Sequence, residues 1–538
     1  MYKKIFSFIC LLLPLSLKAQ TFSSDTLVSD FKSYVKLLQE THPDPYSNMG
    51  GKVQFYNRSE EIIDKIRVMP RGSINILTDA IRELNAQLND GHTSVNMSNQ
   101  QFADDLYAPV SVSVIPDGLI LTSVPKQDAK YLGAKIIGVN GHAIEELCRK
   151  VTSRYGCENT YHAYDDLRFL LCRSRMYKRI YQSDLSSLTL EVETVDGKKA
   201  IIDFPFLAKM EADKVERSKV EHSMLQEDFP YIGYKFLDNK RNIMYFRDAT
   251  VMSRDNLCYM YENHWGSLKE SIADIYNNYL KKTMPDSLDN AIREIPSFTE
   301  VFYNMLMDMK QSESEYLIVD LRNNSGGWSP IVYPVLYQLY GDNYLKKNME
   351  VTFYRLLSPL YLAKNNMTLN EFNAQNHTNH QIGDYLITKS EDIKGDIKSI
   401  RSKFIANSMS ERKDLLLKQD GSPVYTPKKV FVITSSGTFS AAFHFAFYLW
   451  KMGAIVVGVP SSQAPNTYME VTPYRLPLTG VIGSISNAVQ EFLPSDNSKA
   501  KIFYPDLMPT HKDYAKNNYD GDTEVKYIIQ NVIHNSQK

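Results

Sequence analysis

Val430-Phe431-Val432-Ile433-Thr434, then Ser435-Ser436-Gly437-Thr438-Phe439, then Ser440-Ala441-Ala442-Phe443-His444-Phe445-Ala446-Phe447 is the stretch that decides the fold. A short run of apolar, mostly β-branched residues predicts a buried strand. Small residues then predict a turn, and the apolar run Ser440 to Met452 predicts a helix. The alternation recurs upstream and downstream. Asn242 to Phe246, Tyr316 to Leu321 and Ala454 to Val459 predict strands, and Phe298 to Met309 predicts a helix. Short apolar strands separated by helices belong in a mostly parallel α/β sheet covered on both faces. Region 206–538 is read as that core, with the polar stretch Asn365 to Asp420 as a candidate insertion.

Two other regions precede it. From Asp25 to Leu88 apolar residues recur at helical spacing: Phe31, Val35, Leu38; Ile62, Ile63, Ile66; Ile81, Leu84, Leu88. His42-Pro43-Asp44-Pro45 must interrupt them, because each proline biases its predecessor away from helix. This predicts an N-terminal helical domain over 20–106. Over 107–205 the period changes to two. Val110, Val112 and Val114 alternate with polar residues, as do Leu188, Leu190 and Val192, and the run Gly133 to Val139 ends in an Asn140-Gly141 hairpin turn.

The first residues read as an address. Lys3 and Lys4 precede the apolar Ile5 to Leu17, and Ala19 precedes a polar segment, the layout of a signal peptide over 1–19. The protein is expected to be periplasmic or secreted, with an uncleaved anchor as the alternative. The apolar run is shorter than the ~20 residues a spanning helix needs, so no stable membrane span is expected after cleavage. Loss of Lys3, Lys4 and Lys18 would take the net charge from −1 to −4 (−1 − 3).

At ~100–200 residues per domain, 538 residues suggest about three domains. A chain 43% hydrophobic and 23% charged is neither coiled coil, collagen nor disordered. Lys+Arg 61 against Asp+Glu 62 leaves no basic field for nucleic acid. Cys148, Cys157, Cys172 and Cys258 lack zinc-site spacing; either one pair oxidises after export, Cys148 and Cys157 being nearest, or all four stay free.

Three segments could carry chemistry. Ser440 opens a helix, where free backbone N–H groups and a partial positive charge suit a nucleophile that generates an oxyanion. A serine there is also simply a good N-cap. Gly326 and Gly327, after the strand ending in Asp320, allow backbone amides to approach a ligand, and one of them with the Ala441 N–H could hold an oxyanion. They could equally form a plain turn. A serine nucleophile needs a base. His92, in Asn89-Asp90-Gly91-His92-Thr93, is the candidate; His444, among phenylalanines, and His42, in the proline turn, are its rivals.

Together these segments resemble the carboxyl-terminal processing (tail-specific) serine peptidases. Asp320-Leu321-Arg322-Asn323-Asn324-Ser325-Gly326-Gly327 is similar to the family's Asp-Leu-Arg-Asn-x-x-Gly-Gly, Ser440-Ala441-Ala442 to its nucleophile turn, Gly458 to the glycine after the next strand, and Tyr504-Pro505-Asp506 to its C-terminal Pro-Asp. The lysine that one branch places about 25 residues after the serine is missing between Ser461 and Thr467. The Asp90-Gly91-His92 turn resembles instead the branch of the tricorn protease core, although Gly91 stands where that core has a serine, Phe443 where an acid is frequent, and only Asp496 offers an acid before the Pro-Asp. The resemblance implies a Clp protease/crotonase-like β–α spiral core with the helical cap and a PDZ-like module over 107–205. It implies a Ser440–His92 endopeptidase acting on proteins or peptides, with an oxyanion hole from Gly326, Gly327 and Ala441 and with no metal or cofactor. The alternatives on this fold are a non-catalytic peptide- or ligand-binding protein and a crotonase-type thioester enzyme. The assembly state is left open between monomer and homo-oligomer.

Overall fold

The computed structural model describes residues 21–69, 71–96, 105–221, 223, 225–390 and 394–533. The signal-peptide expectation falls outside these residues.

The centre of the molecule is a five-stranded sheet. Ile243–Asp248, Tyr316–Asp320, Lys429–Thr434 and Ile455–Gly458 run parallel in that order, and Ile232–Phe236 pairs antiparallel with the first of them. Every residue of Tyr316–Asp320 is buried, which is why the strand reads as a continuous apolar run and not as an alternation. The helices Phe298–Ser312, Val332–Tyr340 and Ala441–Lys451 cover one face, through Phe302, Leu306, Val335, Leu339, Phe445 and Leu449. Tyr245, Ile318, Phe431 and Val457 meet Val525 and Ile528 of the C-terminal segment on the other. Arg322 ties that segment to the sheet. Its buried guanidinium reaches Asp320 Oδ2 at 2.6 Å, Asp522 Oδ1 at 3.1 Å and Glu524 Oε2 at 2.9 Å.

A second sheet runs Tyr385–Lys389, Thr352–Leu356, Ile482–Glu491, Asn466–Arg475, and Ser94–Val95 pairs with Ile482–Glu491 at one end. The stretch 365–420 is thus partly built into the fold. It supplies the edge strand Tyr385–Lys389 as well as the helices Leu369–Asn376, Ile397–Asn407 and Lys413–Leu417.

The N-terminal residues form helices Ser24–Thr41, Lys52–Arg67 and Ile74–Asn85, whose apolar faces close over Leu27, Phe31, Leu38, Ile62, Ile66, Leu77 and Ile81. The same cluster takes in Tyr474, Leu476 and Ile485, so the helices pack on the second sheet. The first helix stops at Thr41, before the prolines, with His42 already extended at ψ 130°.

Between these helices and the core strands in chain order comes an antiparallel sheet of seven strands, among them Ser111–Ile115, Gly118–Pro125, Lys135–Val139, Ser187–Glu193 and Lys199–Pro205. It extends beyond residue 205, because Arg217–Lys219 pairs with Gly118–Pro125. Asn140 (φ 50°) and Gly141 (φ 79°) make the tight turn between Val139 and His142. Three helices, Ile144–Thr152, Thr160–Leu170 and Ser174–Tyr181, interrupt the strands. The four cysteines Cys148, Cys157, Cys172 and Cys258 are free thiols. No helix among the described residues is long and apolar enough to cross a membrane.

Candidate active site

Ser440 lies between the strand Lys429–Thr434 and the helix Ala441–Lys451, with φ 51° and ψ −124°. A residue with a Cβ rarely adopts that conformation, and such strain persists only where the surroundings impose it. Here they do. Phe439 N–H donates to Asn324 O at 3.0 Å, Thr438 Oγ1 to Leu321 O at 2.8 Å and Asn323 N–H to Ser435 Oγ at 2.9 Å. The Ser440 N–H donates to Gln463 Oε1 at 2.5 Å. The serine turn and the loop after Asp320 are therefore one interlocked unit. The expectation of a helix from Ser440 shifts by one residue: Ser440 is the N-cap, and its side chain makes no capping bond.

The two glycines separate. The Gly326 N–H donates to Asn324 Oδ1 at 2.9 Å, and its carbonyl accepts from Val251 N–H at 2.8 Å and Thr250 Oγ1 at 3.0 Å. That N–H is already committed. Gly327 is bridged to Val251 through its neighbours' hydrogen bonds, Val251 N–H to Gly326 O and Trp328 N–H to Val251 O, so its own N–H takes no part. Gly327 is exposed, and Ala441 is the first residue of its helix, where the N–H has no intrahelical acceptor. A Cβ on Gly326 would come within 2.7 Å of Ser440 Cβ and 2.8 Å of Ala441 N. The glycine loop is thus held directly against the serine.

The Asp90-Gly91-His92 turn reaches the same place. The His92 ring stacks on Phe439, the residue before Ser440, with centroids 4.5 Å apart and planes 29° apart. No hydrogen bond joins Ser440 Oγ to His92 among the described residues. The turn is fixed by Asp90, whose Oδ1 accepts the His92 backbone N–H at 2.7 Å. Gly91 has a steric reason. A Cβ there would meet His162 Cε1 at 2.5 Å, Glu158 Oε1 at 2.9 Å and Phe439 Cζ at 3.0 Å.

The sequence reading missed Glu158. It stands between the strands of the antiparallel module, just before Asn159, the N-cap of Thr160–Leu170. Its Oε1 lies 3.6 Å from His92 Nδ1, its Oε2 accepts the Ala464 N–H at 2.8 Å, and its side chain is 1% exposed. Burial alone would pull the His92 pKa down, but the Glu158 carboxylate, with Asp90, raises it above its ordinary value. The only sequence signal is an acid beside an N-cap asparagine, which is too common to be singled out. Asp496, the acid nearest the Pro-Asp, is exposed.

The rival histidines are occupied. His444 Nδ1 shares a hydrogen bond with Ser329 Oγ at 2.8 Å and Nε2 one with Gln490 Oε1 at 2.6 Å. Burial pushes its pKa down to about 4. His42 Nε2 lies 3.3 Å from Asp90 Oδ2, and its Nδ1 accepts the Asp44 N–H at 3.2 Å. Phe443 packs among Phe447, Phe492 and Phe503, where an acid would be buried without a partner.

Residues 291–483 match the family model of Peptidase family S41. Mature CPAF has a similar fold, at 14% identity and a TM-score of 0.53, over 95% of this chain and 98% of that one. The complex of mature CPAF with lactacystin gives 14% and 0.52 over 95% and 99%. The photosystem II D1 C-terminal processing protease aligns at 13% identity and a TM-score of 0.39, over 89% and 92%. No curated protein sequence matches the chain.

Proposed function

We propose, from the premise that the chain is a serine-type peptidase of family S41 by its segment 291–483, that it cuts peptide bonds with Ser440 as nucleophile and His92 as base. The observation that carries this is the strained Ser440 turn, with the Ala441 N–H next to it, the Gly326-Gly327 loop held against it at Gly326, and His92, paired with Glu158, stacked on the adjacent Phe439. His92 takes the Ser440 proton as the hydroxyl attacks the peptide carbonyl. The carbonyl oxygen, now negative, is held by the Gly327 and Ala441 N–H groups, where preorganised donors stabilise developing charge. His92 then gives its proton to the leaving amine, and water releases the acyl group. Glu158 orients the imidazole and stabilises its charged form. Ser440 and His92 close to hydrogen-bond distance on substrate binding, since catalytic hydrogen bonds are often long in the free enzyme.

In this reading the substrate is a protein or peptide, the core is of the Clp protease/crotonase type, the N-terminal helices form a cap and the antiparallel module is PDZ-like. The leader 1–19 directs the protein to the periplasm or the exterior. The lack of a Ser440–His92 hydrogen bond favours one rival, a binding protein that keeps the fold without cleaving. Incubation of the mature protein and its Ser440→Ala variant with an unfolded protein, with products mapped by mass spectrometry, separates the two. Fragments from the wild type alone support the peptidase; no fragments from either, with no fluorophosphonate label on Ser440, support the binding protein.

A further inference from the structure

Asp90, His92 and Glu158 each offer one ligand atom, and these atoms all lie within 4.8 Å of one another. We propose that these three side chains bind a zinc-like divalent cation that switches the peptidase off; this rests on the role given to His92 above. The three are shielded from water, at 0%, 10% and 1% side-chain exposure for Asp90, His92 and Glu158.

Two observations point to a cation. The first is an imidazole with neither ring nitrogen partnered. His92 Nδ1 and Nε2 are buried without a hydrogen bond among the described residues, which is costly for polar atoms unless something else satisfies them; Asp90 Oδ2 has the His42 ring at 3.3 Å as its neighbour. The second is the His92 Nδ1 to Glu158 Oε1 separation of 3.6 Å. That is too long for an N–H···O bond. It matches the edge of a tetrahedron around an ion with bonds of ~2.0–2.2 Å, which is about 3.3–3.6 Å. One imidazole and two carboxylates form a donor set that zinc accepts, with a fourth position left for water. Two anionic carboxylates beside one neutral imidazole also match its charge.

The consequence for catalysis follows from the tautomer. A metal on Nδ1 takes that lone pair and leaves the proton on Nε2. An imidazole protonated at Nε2 cannot accept a proton from Ser440 through that nitrogen. The cation also occupies the Glu158 oxygen that would stabilise the charged ring. Bound metal therefore inhibits, by competing for the histidine and not by blocking the substrate path.

Zinc binding is measured on Ser440→Ala protein by competition with a chromogenic chelator, so the readout does not depend on activity. The expected result is one Zn2+ per chain. Asp90→Asn and Glu158→Gln, each made in that background and checked for folding by circular dichroism, should weaken binding at least tenfold. His142→Ala and His380→Ala, which break the more exposed His142–Glu146 and His380–Asp384 pairs, should leave it unchanged. With Ser440 present, Zn2+ should slow fluorophosphonate labelling, and a chelator should restore it. No binding, binding that survives the Asp90→Asn/Glu158→Gln double variant, or binding lost with His142 or His380 overturns the proposal. If Zn2+ binds as expected but no peptide is cleaved under any condition, the cation site stands and the peptidase reading falls. Cleavage without zinc binding gives the converse.

Discussion

At the residue scale the chemistry divides between groups that react and groups that hold them. Ser440→Ala is expected to abolish hydrolysis while circular dichroism and melting stay as in the wild type, because the side chain makes no capping bond and fills no core. His92→Ala should cost at least ~10²-fold in turnover, the scale of losing a general base; His444→Ala should instead lower the melting temperature, since it removes both hydrogen bonds of a buried ring. A stable but inactive His444→Ala beside an active His92→Ala would reverse the two roles. The glycines give a sharper test. Alanine at 327 would drive a Cβ to 2.2 Å from the Val251 carbonyl oxygen, and at a φ of 147°, so the loop must shift and carry its N–H with it. Turnover of Gly327→Ala should fall about 10²–10³-fold, as on loss of one oxyanion donor, with a much smaller change in KM. Unchanged kcat in a folded variant would place the donor elsewhere. Ser440, His92 and the glycine pair were legible because each sits in a local pattern. Which glycine N–H is already bonded was not, because Asn324 Oδ1 decides it by accepting from Gly326. Glu158 was not legible either, since it lies 66 positions further along the chain than His92, in a separate module.

At the element scale, the helix Thr160–Leu170 straps the active-site loops together. Its N-cap Asn159 accepts from the Tyr161 and His162 N–H groups at 2.9 and 3.0 Å and donates to the Ser461 and Ser462 carbonyls at 3.2 and 3.1 Å. Further along, Asp165 Oδ1 accepts from Ser436 Oγ at 2.7 Å, and Arg168 Nη1 donates to Asn323 Oδ1 at 3.1 Å. The serine turn, the glycine loop and the segment facing Glu158 are all fastened to one helix of the antiparallel module. Asn159→Ala removes the cap, worth about 1 kcal/mol, and frees the neighbouring Glu158. Turnover should drop about tenfold with KM nearly constant, and amide exchange at 461–464 should quicken. Wild-type turnover together with faster exchange would show that the strap does not position Glu158. The buried parallel strands of the core were readable, since burial on both faces makes continuous apolar runs. The helices between 144 and 181 were not, because they lie inside a region whose strands alternate clearly. Nor was the edge strand Tyr385–Lys389, most of whose residues are exposed, so neither face carries a hydrophobic signal.

At the scale of the whole molecule, stability should depend on pH through two buried acids near the ends of neighbouring parallel strands. Asp320 is buried, which by itself would raise its pKa, but Arg322 and Arg247 hold it down at about 2. A carboxylate with a depressed folded pKa adds stability above its unfolded value, and that stability is lost as pH falls towards 2. Asp248 is the opposite case. Burial pushes it up to about 7, against the partial offsets of Arg247, the Thr250 backbone N–H and Asn324, with Tyr231 and Tyr279 also facing it. The native state therefore holds a proton on Asp248 that the unfolded chain gives up near 4. Its contribution is complete below that value and is lost as pH rises from about 4 to about 7. The acid also supports the glycine loop, because Asn324 Nδ2 donates to Asp248 O at 3.0 Å and to Oδ2 at 3.2 Å while Asn324 Oδ1 holds Gly326. Asp248→Asn keeps an oxygen for Asn324 and removes the charge. In chemical denaturation it should be more stable than the wild type at pH 8, by up to about 4 kcal/mol for a shift of ~3 pH units, and nearly equal to it at pH 4. Below pH 4 both should weaken together as Asp320 is protonated. If the variant's advantage is the same at pH 4 and pH 8, the Asp248 carboxyl does not titrate in this window, and its burial is offset by partners that keep it ionised throughout.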